Sequence, residues 1–394
     1  MSMLIGIIAV IIFLSILILV HELGHFLTAK KFGLLVEEFG FGLPPRIWAK
    51  KIGETIYSIN VLPFGGFVKI YGEDGAETDK NGTLIEEIST VEIEEKIVDA
   101  KNRIEIDEKL VMAEKVIISD SNKARSFVSL PISKRAIIIL AGVLMNFLLG
   151  WLLISVIFYI GIPKAILITG IEPNSPAAGI GLQVGDKIAG AKMGPKELGG
   201  AEIGADNFIK FINEYRGQEI TIKIERNGEI KEFKAIPRIN PPAGQGALGT
   251  ALMESGLAKK DLLVSAWEGL KTSLEIVQAV FVAIFTLIAK VFIGKANLEQ
   301  IAGPVGIVKV TAQAGTLGFA YLLQLLALIS LNLVVINIFP FPALDGGRLL
   351  FLLIEKIKGS PLPVKFEKYA NGFGMILLIL LMIAITVKDV IRFY

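Results

Sequence analysis

The chain has two histidines, and they stand four residues apart in His21-Glu22-Leu23-Gly24-His25. On an α-helix, positions i and i+4 share a face, so both imidazoles can aim a ring nitrogen at one Zn2+. Glu22 lies one position round, within reach of a water held by that metal. This is the arrangement for metal-assisted hydrolysis with a carboxylate as general base. Two histidines placed at random would give this spacing, with a glutamate following the first, on the order of once in a few thousand trials. A hydrolytic zinc takes three protein ligands and keeps one position for water. No cysteine and no third histidine is present, so the remaining donor is a carboxylate. The best placed is Asp345, in Asn332-Leu333-Val334-Val335-Ile336-Asn337-Ile338-Phe339-Pro340-Phe341-Pro342-Ala343-Leu344-Asp345-Gly346-Gly347. Two prolines end the helix there, two glycines allow close backbone approach, and the carboxylate is offered from irregular backbone. The plainer role for Asp345 is to cap a helix that begins at Gly346.

The elements that must position these residues are apolar spans. Leu4 to Val20 is an unbroken apolar run. Continued as a helix through the histidines to Lys30 and Lys31, it crosses a hydrocarbon core of roughly 30 Å. Ala136 to Ile160 is a second run, Tyr321 to Phe339 a third and Gly372 to Val387 a short fourth. Lys30, Lys31, Lys134 and Arg135 place the first loop in the cytoplasm and the N-terminus outside; Arg348, Lys356, Lys358, Lys365 and Lys368 mark a second cytoplasmic segment. Leu270 to Ile293 is apolar enough to tempt a further span. For His21 and Asp345 to share one depth, however, the first and third spans must run the same way, so an even number of crossings lies between the outside domain and Tyr321. Leu270 to Ile293 is therefore expected to lie in the interface or dip into it. Composition agrees with a membrane protein: 394 residues, 53% hydrophobic, 20% charged, mean hydropathy +0.63. A net charge of +2 with no basic cluster gives nucleic acid no footing as a partner.

Several further motifs stand in order along the chain: Asn60-Val61-Leu62-Pro63-Phe64-Gly65-Gly66-Phe67-Val68-Lys69, Ala141-Gly142 leading to Asn146-Phe147, Gly303-Pro304-Val305-Gly306 and Leu344-Asp345-Gly346. With the histidine motif they resemble the site-2 protease family of intramembrane zinc metalloproteases, of the bacterial regulator-of-sigma-E protease type, over nearly the whole chain. The resemblance implies Zn2+ held by His21, His25 and Asp345, Glu22 as catalytic base, and Asn332 and Asn337 as amides that touch substrate near the scissile bond. It implies as substrates single-span membrane proteins already shortened outside, such as anti-sigma factors or remnant signal peptides, cut within the bacterial inner membrane towards its cytoplasmic side. Val143 departs from the family, which usually has proline after Ala-Gly. Peptide bonds inside a helix are shielded, so a transmembrane substrate must unwind and be held extended. Thr55 to Tyr71 alternates around Phe64-Gly65-Gly66-Phe67 and reads as a β-hairpin whose edge, Gly65, Gly66, Phe67 and Val68, can pair with substrate; the plainer reading is a stable surface hairpin.

Lys164 to Arg238 resembles a circularly permuted bacterial PDZ domain, with Phe208 to Tyr215 as its helix and Ile220 to Ile236 as a hairpin around Asn227-Gly228. It is either a filter, acting by size or by capturing a peptide C-terminus, or a scaffold that binds none. Glu73 to Asp120 holds 15 acidic and 6 basic residues, a solvated face or a gate. The expected fold is thus a polytopic α-helical membrane protein of about four spans, with a membrane-associated β-hairpin and one extracytoplasmic PDZ-like β-rich domain. Its divisions are a first span (1–32), hairpin region (33–72), acidic cytoplasmic insert (73–133), second span (134–162), PDZ-like domain (163–240), linker with the interfacial or re-entrant helix (241–318), third span (319–348), cytoplasmic segment (349–371), and fourth span with the C-terminus (372–394).

Overall fold

The computed structural model of the protein describes residues 3–73, 77–78, 84–86, 116–117, 124–200, 203–226, 228–294 and 303–393. Most of the acidic insert lies outside the described residues. The chain forms two compact units, one of residues 1–13, 147–333 and 382–394, the other of residues 14–146 and 334–381. Among the described residues, five helices are long and apolar enough to cross a membrane. They are α1 (Met3–Lys31), α2 (Ile132–Ile160), α5 (Leu262–Phe292), α7 (Phe319–Ile338) and α9 (Val364–Phe393), with α3 (Pro176–Gly179), α4 (Ala205–Glu214), α6 (Pro304–Leu317) and α8 (Asp345–Lys358) between them.

Two strands, β1 (Val36–Ile52) and β2 (Thr55–Ile70), follow α1 in the unit that contains the histidines. They are joined at Gly53-Glu54, so the hairpin turn is there and not around Phe64-Gly65-Gly66-Phe67. Gly53 adopts φ +64, a left-handed conformation that suits glycine at a tight turn. The strands curl: Glu38 to Phe41 is paired on one side with Ile56 to Ile59 and on the other with Gly66 to Lys69. That order leaves the end of β2 on an outer edge. Ala29, Leu34, Val36, Ile70, Phe127, Ile138, Ile139 and Leu352 form the buried cluster that binds the end of α1, the hairpin, the start of α2 and α8 together. Arg135 of α2, half-buried, and Glu355 of α8, buried, form an ion pair at 3.0 Å beside it.

In the other unit, strands β3 (Ile162–Ile171), β4 (Lys187–Met193), β5 (Lys196–Gly199), β6 (Ile220–Arg226), β7 (Glu229–Ala235) and β8 (Thr250–Leu257) make one sheet in the order β7-β6-β4-β3-β8, with β5 on β4. Alternation sets its inner face: Ile220, Ile222 and Ile224 are all fully buried, against Phe208, Phe211 and Ile212 of α4 at the i, i+3, i+4 spacing. Asp186 staples the loop before β4, accepting from Arg226 Nε and Nη2, both at 2.7 Å, and from the Gln183 amide at 2.8 Å. The sheet takes in Thr250–Leu257, which the sequence assigned to a linker; the Gly- and Pro-rich stretch before it hid a strand that pairs along β3. Helix α5 is continuous from Leu262 and begins beside α2, where Trp151 Nε1 donates to the Ala266 carbonyl at 2.8 Å and Gly269 packs on Ser155. Helix α9 starts at Val364, well before the apolar run at Gly372, because a helix needs no apolar face to continue through Lys365, Glu367 and Lys368.

Candidate metal centre

The whole cluster of donors lies within one unit. His21 and His25 stand one turn apart on α1, their rings 4.8 Å apart at 81°. Their Nε2 atoms are 3.1 Å from each other. Asp345 enters from the first turn of α8, with Oδ2 at 3.0 Å from His21 Nε2 and 3.6 Å from His25 Nε2. The carboxylate therefore turns to the imidazoles rather than back to cap its own helix. The break before it depends on close backbone contact. A Cβ at Gly346 would lie 2.1 Å from the Phe339 carbonyl oxygen, and one at Gly347 would lie 2.3 Å from that of Phe341. Ala343 completes the break in a left-handed conformation, φ +74, and its amide donates to Asn371 Oδ1 at 3.0 Å.

These donors fit zinc. Ligand bonds of about 2.0–2.1 Å in a tetrahedron put donor atoms about 3.3 Å apart. The three separations here, 3.0, 3.1 and 3.6 Å, bracket that edge. Two imidazoles and one carboxylate are also a known donor set for a hydrolytic zinc, which leaves a fourth position open. His21, His25 and Asp345 are the group among the described residues with metal-ligand spacing.

Helix α2 supplies the setting, through three residues at intervals of four. The Ile138 carbonyl accepts from His25 Nδ1 at 2.9 Å, which fixes the tautomer and leaves Nε2 to face the centre. Gly142 lies directly over both rings: a Cβ there would be 2.4 Å from His25 Nε2 and 2.8 Å from His21 Cε1. Asn146, fully buried, brings its side-chain amide to 3.2 Å from His21 Nδ1. Gly24, between the two histidines, lets the helices meet at this depth, since a Cβ on it would be 2.3 Å from the Ala141 carbonyl oxygen. The roles of Ile138 and Gly142 carry no side-chain signal in the sequence. Asn146 carries one, an amide inside an apolar run.

Of the remaining sequence candidates, Gly66 comes beside Glu22, with its Cβ position 3.4 Å from Glu22 Cγ. Gly65 is left-handed at φ +96, the Phe67 ring covers Gly40, and Val68 is packed on the Ala29–Leu34 cluster. The Asn337 amide reaches 3.5 Å from His21 Nδ1. Asn332, half-buried five positions earlier on α7, points about 140° away from Asn337 by helix geometry, so the two amides do not share a face.

The family model for peptidase family M50 matches residues 9–381. The zinc metalloprotease RasP of Shouchella clausii is 33% identical, the alignment covering 98% of this chain and 99% of that protein. The putative zinc metalloprotease CPE1693 of Clostridium perfringens is 32% identical over 96% of each. The regulator of sigma-W protease RasP of Bacillus subtilis is 30% identical over 98% of this chain and 99% of its own length.

Proposed function

Given that this chain belongs to peptidase family M50 and is a multi-pass zinc metalloprotease, we propose that it cuts the transmembrane segments of single-span proteins already shortened outside the membrane. Anti-sigma factors and remnant signal peptides are the substrate types. His21, His25 and Asp345 hold the Zn2+ and Glu22 is the catalytic base. The observation that carries this reading is the mutual spacing of the three donors, which fits a tetrahedral metal, with both histidines on a helix apolar enough to lie in a bilayer.

Bound zinc supplies a polarised water and a Lewis acid for the peptide carbonyl. Glu22 accepts the proton of the attacking water and passes it to the amide nitrogen as the C–N bond breaks, so the carboxylate ends the cycle ionised, as it began. Gly66 beside Glu22 supports a role for the β2 edge: an unwound segment laid along Gly65, Gly66, Phe67 and Val68 would run past that carboxylate. Asn337 is close enough to the centre to hold a substrate carbonyl; Asn332 would have to act from another face of α7.

The β-rich domain, read as PDZ-like, is the extracytoplasmic filter or peptide-binding module in this scheme. Helix α5 leaves it through Lys260, whose amide donates to the Phe158 carbonyl, and the end of α6 returns to it, with Thr316 packed on Gly185. That return supports an even number of crossings between the domain and α7, with α5 either spanning or lying in the interface. The active site then faces the cytoplasmic side of the inner membrane.

The test is a panel of single-span substrates, with and without their outside domains, presented to the native protein and to Glu22→Gln. Native protein is expected to cut the trimmed set alone, and Glu22→Gln to keep its zinc while losing about 10²–10⁴-fold in rate. Undiminished cleavage by Glu22→Gln would sink the assignment of the base.

A further inference from the structure

The α2 residue Asn146 is placed to do more than fill space. It is fully buried, it stands eight positions after Ile138 and about 80° further round the helix, and its amide is 3.2 Å from His21 Nδ1, the ring atom turned away from Asp345. The equivalent atom of His25 is already committed, donating to the Ile138 carbonyl. A histidine that ligates zinc through Nε2 keeps its proton on Nδ1, which is then a donor. The two ends of a carboxamide occupy the same space, so the Asn146 amide can meet that donor with its oxygen. Asn337, at 3.5 Å, is the other amide near the same atom and the more distant.

We infer that Asn146 is a positioning residue for the metal centre: its amide oxygen accepts from His21 Nδ1–H, holding the ring in the tautomer and orientation that ligates zinc. This rests on the reading of His21 as a zinc ligand. Two features of the surroundings support a specific role over simple packing. An amide in an apolar span is expensive to bury and is tolerated where it is hydrogen-bonded. In addition, α2 treats the two histidines symmetrically only with Asn146 included, a backbone acceptor for one ring and a side-chain acceptor for the other, with Gly142 between them.

The experiment uses the full chain in detergent micelles, stripped of metal, and titrates Zn2+ against a chromophoric competitor. Four forms are compared: native, Asn146→Leu, Asn146→Asp and His21→Ala. Leucine is near-isosteric and apolar but cannot accept a hydrogen bond, whereas aspartate accepts more strongly. Asn146→Leu is expected to bind zinc 10–100-fold more weakly, the usual effect of losing an outer partner of a ligating histidine, and Asn146→Asp to stay near native. A purely structural role predicts the opposite order, with leucine tolerated and aspartate harmful. Because the chain has two histidines, 15N-histidine labelling resolves both rings, and in zinc-loaded Asn146→Leu the His21 Nδ1 resonance alone should shift. Native-like zinc affinity in Asn146→Leu, or a His21 Nδ1 resonance identical to native, overturns the inference. If Asn146→Leu does not fold, the Asp variant and its resonance decide: losing zinc overturns the inference, keeping it with a shifted His21 Nδ1 supports it. Loss of zinc in His21→Ala with none in Asn146→Leu removes this inference alone. Native-like binding in His21→Ala removes the ligand reading beneath it.

Discussion

A methyl group at position 142 would lie 2.4 Å from His25 Nε2 and 2.8 Å from His21 Cε1, inside the contact distance of both rings. Both rings are held by hydrogen bonds to α2, so neither can retreat without breaking one. Gly142→Ala is therefore expected to weaken zinc binding by at least the 10–100-fold seen on losing an outer partner. Gly372→Ala, where a Cβ meets nothing within 4 Å, should bind zinc as the native protein does. Zinc titration of the two variants checks the pair, and equal affinities would contradict the geometry. At this scale the sequence is legible where side chains carry the chemistry. Imidazole, carboxylate and their spacing point to His21, His25 and Asp345, which the fold brings together. The Ile138 carbonyl and the missing Cβ of Gly142 are not legible, because every residue offers a carbonyl and a glycine has many uses.

Among the elements, the hairpin is fastened at its turn. Glu54 accepts from Lys30 Nζ at 2.7 Å and from Arg125 Nη2 at 2.8 Å, tying the turn to the end of α1 and to the segment before α2. Arg125, and after it Lys30, pulls the Glu54 carboxyl from 4.5 down to about 2. The folded value is the lower one, so this clamp contributes fully above about 4.5 and is lost as pH falls towards about 2. All three groups are substantially exposed, so the effect on global stability is small. What should change is local: hydrogen exchange of the Lys51 to Thr55 amides is expected to rise between pH 5 and pH 2 beyond its intrinsic trend, and the rise should be absent in Glu54→Gln. The elements also show where pattern reading stops. The apolar run finds Gly372 to Val387 of α9 and misses the polar turns before it. The structure gives the Gly303-Pro304-Val305-Gly306 motif a local reason. Asp389 of α9 accepts from the Gly303 and Gly306 amides, each at 2.8 Å, capping α6 from a residue more than eighty positions away.

For the whole molecule, the proposed zinc ligands sit on helices that pack without the metal, which is therefore not expected to be needed for folding. Small zinc domains unfold without metal because metal binding supplies most of their folding free energy. Here α1, α2 and α8 are joined by a buried apolar cluster and by the Arg135–Glu355 pair, independently of the centre. Chelation should therefore abolish proteolysis while leaving the helical circular dichroism unchanged, and Zn2+ should restore activity without a refolding step. Loss of helix signal on chelation would show that the metal holds the helices. The membrane class and the Ile220 to Ile236 hairpin are legible from composition and alternation, while Thr250–Leu257 is not, since a strand that closes a sheet by pairing with one some eighty residues earlier leaves only a local trace. The stripe of Ile138, Gly142 and Asn146 sets a further limit, on length. Steps of four residues overshoot a full helix turn by about 40°, so the three contacts wind gradually around α2 to follow the two rings. One residue inserted between Ile138 and Asn146 would turn the later contacts by about 100° and advance them by about 1.5 Å. The window cannot gain or lose a residue and still serve both histidines.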